Sequence, residues 1–503
     1  MSTMGNNTVF LNGQKVVFNP GESILSLTKR ELGEQKVPTL CDAPNLKAFG
    51  SCRVCSVDVA LEKDGPAKVQ ASCHTPVMAN SHISTNSDRI NRLRKNIVEL
   101  VLTEYPEQKF YEDDPKTNEL KRVAQDVGID MSDVRYDTVE THLARKPDEN
   151  HPYMRAYMDA CINCFRCIRA CDEVQGEMVL TMQGRGFDSQ VVAGMDQGFK
   201  DSDCVSCGAC SQTCPTGAIA DVFQSKLNTV QETTRTVCTY CGVGCNLEVA
   251  TSNNEVLSIT APSDAEVNQG HTCLKGRYAF KFYNHEDRLR SPLIKREGKF
   301  QEVTWDEAYD FIAEKLNKIK ASDSPDAIAG ISSARCTNEE NYLMQKFIRA
   351  VIGTNNIDGC ARVCHSPTAL GMQRAFGTGA ATNSIIDLEY TNCMMVIGAN
   401  PTAAHPVTGA KIKQHAMKGT TLIVIDPRET ELARYAQYHL QLRPGTNVAL
   451  LNMMLYYIVQ EGLMDTEFIE NRTEGFADFA SQIRDLDIEA MEAITCLLYT
   501  SDA

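Results

Sequence analysis

Cysteine spacing carries most of the chemistry legible in this chain. Cys161, Cys164, Cys167 and Cys171 follow C-x2-C-x2-C-x3-C, and Cys204, Cys207, Cys210 and Cys214 repeat it, ending at Pro215. Three thiolates so close in sequence wrap three corners of an iron–sulfur cube. One zinc ion needs a single tetrahedron, usually built from two C-x2-C pairs held well apart. The doubled spacing therefore predicts two 4Fe-4S clusters. Cys41, Cys52, Cys55 and Cys73 are spaced x10, x2 and x17, and Cys238, Cys241, Cys245 and Cys273 are spaced x2, x3 and x27. One more thiol, Cys364, stands directly before His365. A soft thiolate suits a redox metal, and an imidazole titrates near neutrality. The default reading of Cys336, Cys360, Cys393 and Cys496 is buried core thiols.

In two-cluster ferredoxins the fourth cysteine of each run ligates the other cluster. On that pattern Cys161, Cys164, Cys167 and Cys214 hold one cube, and Cys204, Cys207, Cys210 and Cys171 hold the second. The stretch from Cys41 to Cys73, with a hairpin and helix before it, resembles the 2Fe-2S domain of the large iron–sulfur subunit of complex I and of related hydrogenases. That resemblance implies one 2Fe-2S cluster, with zinc or structural cysteines as the alternative. Gly50 in "FGSCRVC" lets the backbone approach such a cluster. In those relatives a histidine and three cysteines follow and hold another 4Fe-4S cluster. Here Tyr105 takes the histidine's place and no cysteine lies between Cys73 and Cys161, so that centre is expected to be absent.

"CTYCGVGCNLEV" followed by "HTCLKGRYAF" resembles the start of the molybdenum- or tungsten-bis(pterin guanine dinucleotide) oxidoreductases, and the likeness runs to about residue 495. It implies a third 4Fe-4S cluster on Cys238, Cys241, Cys245 and Cys273, with Lys275 between cluster and pterin. "NNIDGCARVCHSPT" resembles the formate dehydrogenase segment in which cysteine or selenocysteine ligates the metal. This implies a metal-ligand role for Cys364 and a proton-accepting role for His365. The loops "GANPTAAHP", "DPRE" and "RPGTNVALL" resemble nucleotide-contacting loops of the family. They imply pterin-nucleotide contacts at Asn400, His405, Asp426, Arg428, Gly445, Thr446 and Asn447, with loop or capping chemistry as the alternative.

Together these resemblances imply the catalytic subunit of a soluble, NAD-linked formate dehydrogenase. Formate would yield carbon dioxide, a proton and two electrons. The electrons would pass the cluster beside Lys275, then the two ferredoxin cubes, then the 2Fe-2S centre. No G-x-G-x-x-G follows a strand, so nicotinamide chemistry falls to a flavin- and NAD-binding iron–sulfur partner. The competing readings are a nitrate reductase, a hydrogenase-linked formate enzyme, and a non-catalytic complex I-like electron-transfer module.

The elements that must position these residues follow from pattern. "TVFLNGQKVVF" reads as a hairpin about Asn12-Gly13, with a helix over 23–32. Ile90, Leu93, Ile97 and Leu100 predict an amphipathic helix over 88–104. From Glu104 to Glu149 there are 13 Asp or Glu against 7 Lys or Arg with few apolar residues, which reads as a solvated acidic connector. Beyond about residue 300 the buried strands "CMMVIGANP" and "TTLIVIDPR", with helices at "TGAKIKQHAMKG" and "NVALLNMMLYYIVQEGL", predict a parallel sheet.

The expected fold is multidomain α+β and α/β. A β-grasp 2Fe-2S domain spans 1–80, a helical and acidic connector 81–150, and a two-cluster ferredoxin domain 151–225. A 4Fe-4S domain spans 231–290, and an incomplete pterin-binding α/β domain spans 291–503. At 503 residues the chain exceeds one core. Its net charge of −15 argues against nucleic acid. The absence of a long apolar run argues against a membrane span. With 21 cysteines and no export signal, the expected setting is the reducing cytoplasm. Residues 496–503, "CLLYTSDA", drop the family pattern. Related enzymes continue for several hundred residues, so the chain is expected to hold its iron clusters without a complete pterin cofactor.

Overall fold

A computed structural model describes residues 7–135, 146–223 and 229–497. The N-terminal unit is a five-stranded sheet in the order β2-β1-β5-β3-β4. Strands β1 (Thr8–Leu11) and β2 (Gln14–Val17) form the expected hairpin, with Asn12 and Gly13 at φ 50° and 85°. Helix α1 (Ile24–Leu32) starts where the Ser23 side chain accepts from the Ser26 amide. Its Ile24, Leu25 and Leu27 pack on Val9, Leu11, Val57 and Ile83 of the sheet. Strands β3 (Ser56–Ala60) and β4 (Lys68–Ala71) are antiparallel, and β5 (His82–Ser84) runs parallel to β1 at the centre. The long loop between α1 and β3 carries Cys41, Cys52 and Cys55.

Helix α2 (Asp88–Thr103) matches the predicted amphipathic helix to within a residue. The segment after it corrects the sequence reading. Instead of a solvated connector, residues 105–131 form α3 (Glu107–Glu112), α4 (Glu119–Val127) and a packed core of Tyr105, Phe110, Leu120, Val123, Ile129 and Met131. The acidic side chains project from a thin apolar seam, which a windowed charge count averages away. The rest of that acidic stretch, 136–145, lies outside the described residues.

The two cysteine runs sit on two short antiparallel pairs, Met154–Ala156 with Ile219–Asp221 and Leu180–Gln183 with Gln190–Ala193. The sequence repeat is a backbone repeat. Asn163 and Phe165 have φ 48° and 65°, and Ser206 and Gly208, at the same offsets in the second run, have φ 56° and 73°. A three-stranded antiparallel sheet follows, Glu232–Val237, Asn246–Ser252 and Glu255–Thr260, then the short helix Leu274–Tyr278.

The last region is α/β. Strands Cys393–Ile397, Thr421–Ile425 and Tyr438–Leu440 are parallel, with helices Pro406–Met417 and Asn447–Gln460. A second parallel pair joins Gly330–Ser332 to Ile357–Gly359. Cys393–Ile397 is an edge strand, so Met394 is buried while Met395 is half exposed. Between Trp305 and Phe376 the apolar side chains are largely open: Trp305, Tyr309, Ile331, Tyr342 and Phe376 are each more than half exposed. Cys336, Cys360, Cys393 and Cys496 are exposed rather than buried, a second correction, because they lie on loops, an edge strand and a helix end. Among the described residues no helix is long and apolar enough to cross a membrane.

Candidate cluster and pterin sites

Cys41, Cys55 and Cys73 are buried and Cys52 half-buried, in the loop before β3 and the turn after β4. The thiols act on one another. Hydrogen bonding to Cys52 holds Cys41 below the usual thiol range, and hydrogen bonding to Cys73 lowers Cys55. Cys52 and Cys73 rise correspondingly, and Cys41 also acts on both members of the second pair. All four therefore face one locus.

Cys161, Cys164, Cys167 and Cys214 line a single small cavity together with Met158, Ile162, Phe165 and Pro215. Burial pushes Cys161 and Cys164 up to about 12, and neighbouring thiols add to the effect. Cys167 is raised further, again by burial first and then by Cys161, Cys164 and Cys214. In the second run burial raises Cys210, and Cys207, Cys204 and Cys171 follow as its charged neighbours. The exchange of fourth cysteines between the runs is thus geometric. Backbone amides point at the sulfurs: Val179 N lies 3.3 Å from Cys171 Sγ, Ser206 N 3.4 Å from Cys204 Sγ, and Ile219 N 3.5 Å from Cys214 Sγ.

Cys238, Cys241, Cys245 and Cys273 line a small cavity with Tyr240, Lys275 and Pro406. Burial lifts Cys245 to about 12, with Cys238, Cys241 and Cys273 adding to it. Thiols such as Cys161, Cys164, Cys167, Cys210 and Cys245, whose burial favours their protons, fit a group whose positive metal charge replaces those protons. Among the described residues no three His, Cys, Asp or Glu side chains converge as ligands of one metal ion. The thiols ring a space, which fits a cluster of several atoms.

These sites adjoin. Cys52, Cys161 and Cys214 pack on one apolar core with Tyr105 and Phe110. Cys210 acts electrostatically on Cys167 of the other cube. Cys207 and Cys273 line a shared cavity of about 190 Å³ together with Lys275 and Lys413. Lys275 is exposed and lines both this cavity and that of Cys238.

Comparison with known proteins agrees with this layout. Residues 7–88 match the 2Fe-2S iron-sulfur cluster binding domain, and 151–220 match the ferredoxin-like domain of NADH-quinone oxidoreductase subunit 3. Residues 231–285 match the Molybdopterin oxidoreductase Fe4S4 domain, and 288–491 match Molybdopterin oxidoreductase. The chain is built of iron–sulfur and molybdopterin oxidoreductase domains. A Bacillus subtilis (strain 168) protein named "Probable oxidoreductase YjgC" is 31% identical over 98% of this chain and 53% of its own length. A Staphylococcus aureus (strain MRSA252) protein named "Putative formate dehydrogenase SAR2393" is 30% identical over 97% of this chain and 52% of its own length. The chain spans about half the length of these curated relatives. A crystal structure of an NAD+-reducing NiFe hydrogenase in the H2-reduced state aligns at 26% identity with TM-score 0.37, over 43% of this chain and 88% of that one.

Within the molybdopterin oxidoreductase domain, six of the seven residues read as nucleotide contacts follow the carboxyl ends of parallel strands. Asn400 follows Cys393–Ile397, and its Oδ1 accepts from Thr402 Oγ1 at 3.0 Å. Asp426 follows Thr421–Ile425, is buried, and accepts from Arg428 N at 2.8 Å. Gly445, at φ 85°, Thr446 and Asn447 open the helix after Tyr438–Leu440. This edge is where ligands bind in open α/β sheets. His405 stands apart, with its Nε2 beside Gly242 of the cluster loop. Cys364 and His365 are exposed, Cys364 as the last residue of the short helix Ala361–Cys364 that follows the Ile357–Gly359 strand and His365 in the turn into Ser366–Phe376. The neighbouring loop reaches the cluster cavity through a hydrogen bond from Arg335 Nη1 to the Tyr240 carbonyl.

Spacing alone missed the buried ion pairs that lock these domains together. Arg277 donates to Asp221 at 2.8 Å, and Tyr278 donates to the same carboxylate at 2.6 Å. Burial lowers the Arg277 guanidinium pKa, but Asp221 more than offsets that and the net shift is upward. Arg166, 4% exposed, pairs with Glu119 of α4 at 2.9 Å. His271 is buried, bonded to Gln175 at 2.7 Å, and burial pushes its pKa down to about 4. The position of "KGRY" one helical turn after Cys273 was the only local hint.

Proposed function

We propose that this chain carries the iron–sulfur relay and part of the pterin-binding core of a formate dehydrogenase, delivering electrons to a flavin- and NAD-binding partner in the cytoplasm. The observation that carries this reading is the unbroken adjacency of the four thiol sites: Cys273 to Cys207 across one cavity, Cys210 to Cys167, and Cys214 to Cys52 through one core. Electron tunnelling falls steeply with distance, so such a line favours transfer along it. The likeness to a relative named for formate, at 30% identity, supports the substrate.

The cluster at the Cys238 set would sit beside Lys275, whose ammonium favours extra electron density there. A bound metal–pterin group would supply the two-electron oxidation of formate. Cys364 would hold the metal, and His365, exposed beside it, would take and release the proton. Asn400, Asp426, Arg428 and the Gly445–Asn447 turn would orient the pterin nucleotides.

Purified holoenzyme should reduce a viologen dye with formate. Nitrate-dependent oxidation of the reduced dye instead would replace this assignment with a nitrate reductase. Cys364→Ala should abolish formate turnover and keep the iron–sulfur EPR signals. Unchanged turnover would remove Cys364 from the metal site.

A further inference from the structure

Helix α2 carries a buried cation that makes no ion pair with an acid among the described residues. Arg94 is 4% exposed. Its Nη1 donates to the Thr85 carbonyl at 2.8 Å, and its Nη2 donates to the Ser56 carbonyl at 2.7 Å. Its Nε is buried without a partner. Asp58 of β3 makes no ion pair with Arg94: its Oδ2 accepts from Ser87 Oγ at 2.6 Å, and its Oδ1 lies 3.9 Å from Arg89 without a hydrogen bond. Burial lowers the Arg94 guanidinium to about 10, which leaves it protonated at neutral pH.

A buried, unpaired cation is costly, so the fold must place a negative charge near it. Ser56, whose carbonyl Arg94 holds, directly follows Cys55. A 2Fe-2S cluster on four thiolates is a net anion, and one unit more negative when reduced. A fixed cation beside it favours the reduced form.

We propose that Arg94 is a positioning residue that supplies the buried countercharge of the 2Fe-2S centre and raises its reduction potential, making it the accepting end of the relay. The inference rests on the reading that Cys41, Cys52, Cys55 and Cys73 hold that centre. The carbonyl bonds have a second effect. They tie α2 to β3 and to the end of β5, so the charge cannot swing away when the cluster changes state.

The test is a redox titration of the holoprotein followed by EPR. Arg94→Gln should move the 2Fe-2S midpoint negative by the equivalent of about tenfold in the electron equilibrium, about 59 mV for one electron. The 4Fe-4S midpoints should stay where they are. Arg94→Lys, which keeps the charge, should hold the wild-type value. A purely structural arginine gives lower thermal stability with an unmoved midpoint in Arg94→Gln, and that result overturns the proposal. If the Gln variant does not retain the centre, Arg94→His decides. Its midpoint should fall as pH rises through the imidazole's titration while the wild type stays flat; a midpoint as flat as the wild type's overturns the role. Wild-type protein with 4Fe-4S signals and no 2Fe-2S signal would instead sink the underlying cluster assignment.

Discussion

The Lys413 ammonium, on the helix Pro406–Met417, lies 2.6 Å from the Glu177 carboxylate in the loop after Cys171. It also donates to Glu431 at 2.8 Å and is 1% exposed. Burial lowers its pKa, but the two carboxylates outweigh that and hold it above the usual lysine value. One side chain thus docks the molybdopterin oxidoreductase domain onto the loop that follows a cube ligand. Gln414 of the same helix donates to the Val174 carbonyl at 2.8 Å beside it.

Lys413→Met should leave Glu177 and Glu431 facing each other without their cation. We expect a loss of about 2–4 kcal/mol, since removing one partner of a buried ion pair strands the other charge. Calorimetry should show the α/β region melting apart from the ferredoxin region; a single unshifted transition would contradict this.

Cys214→Ser should damage the cluster held by Cys161, Cys164 and Cys167 and spare the one held by Cys204, Cys207 and Cys210. The reason is that Cys214 lines the cavity of the first run, whereas Cys171 is the fourth thiol acting on Cys210 of the second. Iron analysis with EPR distinguishes the outcomes. Loss of the Cys204 set's signal instead would mean that each run closes on its own fourth cysteine.

Gly208→Ala should destabilise the second cube site. At φ +73° a Cβ would fall 2.3 Å from Arg277 Cδ and 2.5 Å from the Tyr278 hydroxyl. Arg277 is itself pinned by Asp221 and cannot retreat. Overpacking of this kind costs about 1–3 kcal/mol, with the left-handed conformation adding to it. Urea unfolding and the cube's EPR signal should both report the loss.

Acid sensitivity should include Glu99. Arg135 binds its carboxylate through Nη2 at 2.6 Å and through its backbone amide at 2.9 Å, and these bonds hold the Glu99 carboxyl down at about 2. A lowered carboxyl contributes stability above its unfolded pKa of about 4.3, and that stability fades as pH falls toward the folded value. Glu99→Gln should therefore cost about 1 kcal/mol at pH 7, because Arg135 is largely exposed and its charge is screened. The gap from wild type should close below about pH 4. A gap independent of pH would assign the cost to packing.

Much of the site was legible because cluster ligands are local. A C-x2-C-x2-C run is also a loop of fixed backbone shape, so Asn163, Phe165, Ser206 and Gly208 take matching left-handed conformations. The hairpin at Asn12-Gly13, the span of α2 and the strand ends carrying Asn400 and Asp426 were legible for the same reason: turn chemistry and periodicity act over a few residues. The predicted α2 stripe was only partly right, since Leu100 faces out while Arg94 and Glu99 are buried. The segment after α2 was not legible. Tyr105 and Asn118 share a 3.0 Å hydrogen bond inside an apolar seam whose outer faces carry the acids. The exposed Cys336, Cys360 and Cys393 misled for the opposite reason, since a lone thiol's burial depends on what packs over it.

By itself, the order of residues determined which thiols form loops, where turns reverse and which strand ends collect polar side chains, because each follows from neighbours along the backbone. Only the tertiary structure decided that Glu177 finds Lys413 and that Arg94 lies buried with no ion-paired acid among the described residues. These partners are far apart in the chain, and packing alone sets their distance and their dielectric surroundings.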